Sequence, residues 1–135
     1  MEMWKKVWRE GVLPLLSQDH LEAIRDALMT DDPRLMQGGT TTPPPLQCVM
    51  DWPVEAVCLL ALPGMVDCGG WGQATVVEVE ERFGKMCFDV DNLIGETAGC
   101  RWLLNWYDET PRDEMRRLLL PEVERGVAML KDPVE

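Results

Sequence analysis

Residues Thr75 to Ile94 constrain this chain more than any other stretch. Val76, Val79, Phe83, Met86, Cys87, Val90, Leu93 and Ile94 recur at three- and four-residue spacing. That period puts them on one face of an α-helix and is incompatible with a strand, whose faces alternate every two residues. Thr75 followed by Glu78 has the form of a capping box at the helix start. The opposite face, Glu78, Glu81, Arg82, Lys85, Asp89 and Asn92, is charged or polar, with Glu78–Arg82 and Glu81–Lys85 spaced for surface pairs.

The same period recurs along the chain. Trp4, Val7, Trp8 and Val12 share a face before Gly11 and Pro14 disturb it, and Ser17 caps a second helix with Leu21, Ile24 and Leu28 inward, ended by Asp31-Asp32-Pro33. Residues 53–62, apolar on every side except at Glu55, are expected to form a buried central helix stopped by Pro63-Gly64. Gly99 to Tyr107 has two apolar sides, Cys100, Leu103, Leu104 and Tyr107 opposite Trp102 and Trp106. Thr110-Pro111 opens a last helix with Met115, Leu118, Leu119, Val123, Val127 and Leu130 inward and a kink or short break at Pro121. A strand has room to hide only at Leu46–Met50 or around Trp71. The expected fold is therefore all-α, a compact single-domain bundle of five to six helices over residues 1–135, with a long Pro-rich loop at 31–50 between the second and third and a frayed tail at 131–135.

Composition narrows the chemistry. The net charge is −11, and residues 31–96 hold 11 acidic against 3 basic side chains. Such a field repels nucleic acid and anionic membrane, but not a basic protein. The longest apolar run, Ala56 to Val66, is interrupted by proline and glycine and falls short of the roughly 20 residues a bilayer requires. Five cysteines with no C-x-x-C pair read as free thiols, so the expected location is the cytoplasm.

Catalytic parts are few. The one histidine, His20, and the one serine, Ser17, lie at a helix start, where capping accounts for Ser17 and an exposed first-turn position for His20. Cys48, Cys58 and Cys68 are spaced by ten residues, unlike zinc ligands, and Gly69-Gly70-Trp71-Gly72 lacks the lysine of a phosphate-binding loop. No cofactor or metal is expected. Arg112, Arg116 and Arg117 gather on one helical turn and could contact an anion, although Asp113 and Glu114 beside them favour an ordinary charged face with an Asp113–Arg117 pair.

What stands out is the stretch Gly38–Pro53. Pro43, Pro44 and Pro45 impose a stiff, extended polyproline II segment, and Trp52, Trp71, Trp102 and Trp106 are natural packing partners for proline. The segment either straps itself over this Trp-rich surface or presents itself to a partner. The leading functional expectation is a small acidic accessory or adaptor protein, without enzymatic activity, that binds another protein through the Pro-rich loop and these tryptophans. A second is an acidic mimic of nucleic acid that fills the basic channel of a nucleic-acid-binding protein. A third is an enzyme using carboxylates or a thiol.

Overall fold

The fold is described by a computed structural model covering residues 2–45 and 51–131. It is mostly helical, with α1 (Met3–Val7), α2 (Gln18–Thr30), α3 (Leu62–Asp67), α4 (Val76–Ile94), α5 (Cys100–Glu109) and α6 (Arg112–Lys131), plus a two-stranded ladder, β1 (Thr41–Thr42) and β2 (Ala56–Val57). The all-α expectation holds. Among the described residues no helix is long and apolar enough to cross a membrane. The expected strand site at Leu46–Met50, Cys48, and the tail beyond Lys131 lie outside the described residues.

The amphipathic stripes become the core. Trp4, Val7, Trp8 and Val12 are buried, as are Leu21, Ile24 and Leu28 of α2 and Met115, Leu119, Val123 and Val127 of α6. The first segment changes its winding. After α1 the chain makes a π-helical turn over Trp8–Val12 and a 3-10 turn over Leu13–Leu15. The π turn sits where Gly11 meets α4, and a Cβ on Gly11 would lie 2.8 Å from both Val90 Cγ1 and Ile94 Cδ1. Only glycine lets the two backbones approach so closely. Arg9, on the same turn, donates from Nε (2.6 Å) and Nη2 (3.0 Å) to the two oxygens of the buried Glu122 carboxylate, which pins this turn to α6.

The central helix expected at 53–62 does not form. Val54 and all of Val57–Met65 are indeed buried, but Val54–Ala61 is a strand and turns, and α3 begins where the expected helix was to end. The reason is competition for the backbone donors. Val54 N–H bonds to Ala74 O (3.0 Å), Glu55 to Thr42 O (2.7 Å), Val57 to Arg34 O (2.8 Å) and Cys58 to Thr40 O (2.9 Å). In a helix over 53–62 the Val57 and Cys58 donors would have served Pro53 and Val54, while Val54 and Glu55, in its first turn, would have had no partner within it; a short apolar run fits a buried strand as well as a buried helix. Pro63, read as a helix stop, instead sits in the first turn of α3, where its missing N–H is no loss. At Gly64 a Cβ would come 2.6 Å from Arg82 Cβ, so α3 crosses tightly over α4.

The span read as a structureless loop at 31–50 holds β1 and the buried Leu35, which bridges Val57 in parallel while Thr41 and Thr42 pair antiparallel with Val57 and Ala56. Other local readings also change. Thr75 is the residue before α4, but its side chain bonds Glu78 Oε1 (2.9 Å) and caps no backbone amide; the Val77 amide is capped by Asp51 Oδ1 (3.1 Å). Lys85 pairs with Asp89 (2.9 Å) in place of Glu81. Leu93 and Leu130 are exposed, and α6 runs through Pro121 without a break.

Candidate binding surface

Among the described residues a hollow lies between α2 and α3. Ala23 and Ala27 of α2 face Leu62, Met65 and Val66 of α3, and their small side chains leave a groove of about 460 Å³. Leu35 and the turn Gly69–Trp71 close one end. Trp71 is half-buried there, with the Arg34 guanidinium 4.6 Å from its ring centroid, a cation–π contact. Arg34 is held in turn by Asp32 (Nη2–Oδ2 2.8 Å, Nε–Oδ1 3.1 Å). That hydrogen bond holds the Asp32 carboxyl below the ordinary carboxylate range and raises the Arg34 pKa. Asp26 and the Asp32–Arg34 pair are the charged part of a lining that is otherwise mostly apolar.

The proline run lies elsewhere. In the antiparallel ladder Thr42 pairs with Ala56, so the chain leaving β1 through Pro43 and the chain entering β2 from Trp52 meet at the same end. Pro44, Pro45 and Trp52 are exposed there and Pro43 is half-buried. The Thr42–Pro43 peptide, which leads into the run, is cis. The segment before it is tied down by polar groups: Gln37 Nε2 donates to Tyr107 O (2.6 Å) and Thr110 O (2.8 Å), Tyr107 Oη to Met36 O (2.7 Å), and Thr41 Oγ1 to Glu80 Oε1 (2.9 Å).

The four tryptophans singled out in the sequence are not brought into one patch by stacking. Trp106 stacks on Trp4 (centroids 3.7 Å apart, planes at 6°), Trp102 is exposed on α5, and Trp71 belongs to the groove. Among the described residues no ring contact joins any two of Trp52, Trp71, Trp102 and Trp106.

The arginines have structural work. Arg112 donates from Nε to Asp31 Oδ1 (2.6 Å) and from Nη2 to Asp32 O (2.9 Å), and Arg116 donates to Leu28 O (2.8 Å) and Met29 O (3.3 Å). They satisfy the carbonyls at the C-terminus of α2, where a cation is favoured. The hydrogen bond from Arg112 also lowers the Asp31 pKa. Arg117 is exposed and lies 4.0 Å from Glu114, and Arg116 lies 3.7 Å from Asp113, so the expected Asp113–Arg117 pair gives way to two pairs at three-residue spacing.

His20, read as exposed, is buried. Its Nδ1 accepts from the Ser17 amide (3.1 Å), which leaves the proton on Nε2, facing Asp67 Oδ1 at 2.7 Å. Ser17 Oγ accepts from the His20 amide (3.2 Å), so serine and histidine cap one another and the imidazole does not reach the hydroxyl. The sequence signal was there, since histidine stands at the third helical position where a capping box places Glu or Gln. Its partner Asp67, 47 positions away, was not readable. No family model, no curated protein and no solved structure matches this chain.

Proposed function

We propose that this is a small acidic binding protein of the cytoplasm, without enzymatic activity, that docks a basic segment of another protein, with aliphatic side chains seated in the groove between α2 and α3. The observation that carries this reading is the groove itself: a mostly apolar lining with half-buried Trp71 at one end, whose charged members are Asp26 and the Asp32–Arg34 pair, in a chain of net charge −11. Aliphatic burial supplies affinity there and the net negative charge of the chain selects against acidic partners. The exposed Pro44, Pro45 and Trp52 form a second surface that a large partner can reach.

Capture from the native source with groove variants tests the reading. Ala27→Trp fills the groove and Trp71→Ala removes its end wall. Each is expected to weaken the captured partner by about 30-fold or more, the size of an interface hot spot, while Trp102→Ala leaves it unchanged. Binding should fall only modestly between 0.1 and 0.5 M salt. If capture instead collapses with salt, ignores both groove variants and yields a nucleic-acid-binding protein, the acidic-mimic reading replaces this one.

A further inference from the structure

Outside the groove, the structure brings two cysteines together where the sequence separates them by thirteen positions. Cys87 is half-buried on α4, and Cys100, the first residue of α5, is buried; both are free thiols. Their approach is set by Asp91, one helical turn beyond Cys87 and therefore on the same side of α4. Asp91 Oδ1 accepts from the Cys100 amide (2.8 Å) and Oδ2 from the Ala98 amide (3.1 Å), which seats the start of α5 on that side. Cys100 is thereby brought to the side of α4 that carries Cys87.

We propose that Cys87 and Cys100 form a dithiol site that a small-molecule disulfide oxidises to a reversible intrachain disulfide, tying α4 to the first turn of α5. The interaction with Cys87, burial and the nearby Asp91 carboxylate all raise the Cys100 pKa, and Cys87 is the more accessible, so Cys87 attacks first. Its thiolate takes one sulfur of the small disulfide, the S–S bond breaks, and one small thiolate leaves. Cys100 then loses its proton to solvent and attacks the Cys87 sulfur, expelling the second small thiol. The protein loses two hydrogens and one small disulfide becomes two thiols. The product would brace a helix whose N-cap residue, Gly99, offers no side-chain cap and which carries Trp102 and Trp106.

The test is incubation of the folded protein with oxidised glutathione, alkylation of remaining thiols, and digestion with trypsin. Cleavage after Lys85 and Arg101 releases both cysteines in one peptide, residues 86–101. That peptide should be lighter by two hydrogens and refuse alkylation, dithiothreitol should restore it, and the melting midpoint should rise by about 5–10 °C in the oxidised form. Cys100→Ser should trap glutathione on Cys87, and Cys87→Ser should leave Cys100 unmodified. The proposal is overturned if peptide 86–101 still takes two alkyl groups, if Cys87 is found linked to Cys48, Cys58 or Cys68, or if the link forms only in denaturant. These readings come from the native chain and stand whether or not the serine variants fold.

Discussion

Above pH 9 the protein will lose stability steeply, and Cys58 will account for a large share. Burial pushes its thiol pKa up to about 12 from an ordinary 9.0. The unfolded chain releases this proton near pH 9, whereas the folded chain keeps it to about pH 12. In between the unfolded state binds fewer protons, so stability falls as pH rises, by up to about 1.4 kcal/mol per pH unit for this group, or about 4 kcal/mol across the window. Below pH 9 both states hold the proton and the contribution is flat. Cys68 and Cys100, also raised, steepen the same slope, and Tyr107, whose phenol burial pushes up, joins above pH 10. Urea titrations at pH 8, 9, 9.5 and 10 measure the slope. Cys58→Ala should start from lower stability and fall less steeply than the parent. Equal slopes would place Cys58 in contact with water and contradict its burial.

Trp8→Ala should destabilise the protein by about 3–5 kcal/mol, as expected when a large buried aromatic is truncated to a methyl. Trp8 is fully buried, on the π turn between α1 and α4, and its indole N–H finds no acceptor among the described residues. That orphaned donor makes Trp8→Phe the informative companion. Phenylalanine loses part of the packing volume but also removes a buried N–H whose desolvation costs about 1–3 kcal/mol, so its net effect should be well under half that of alanine. Chemical denaturation of the two variants at pH 7 gives the comparison. A tryptophan-to-phenylalanine change as damaging as the alanine would mean that the indole N–H has a partner after all.

The helices were legible because their signals are local. The cap at Ser17, the stripe from Val76 to Ile94 and the inward positions Met115, Leu119, Val123 and Val127 depend on three- and four-residue spacing, which any reader of the chain can count. Errors at the margins have the same origin, since Leu93 and Leu130 fit the three- and four-residue spacing and are nevertheless exposed. The groove was partly legible, with Trp71 singled out and its walls Ala23, Ala27 and Met65 unnoticed. Small side chains on a helix carry no pattern that announces a hollow.

By itself, then, the order of residues determined that this chain is helical, which faces of α1, α2, α4 and α6 are inward, and that its surface is acidic. Tertiary structure alone decided the fate of Val54–Ala61, where backbone donors find carbonyls of Arg34, Thr40, Thr42 and Ala74 instead of their own helix. It also decided that Arg112 and Arg116 close the end of α2, that His20 meets Asp67, and that Cys100 sits at Asp91, one turn from Cys87. Periodicity is a property of one segment and can be read from it. Which donor meets which acceptor across tens of residues depends on where every other segment lies, and a group whose local choices are close in free energy takes the partner that packing delivers.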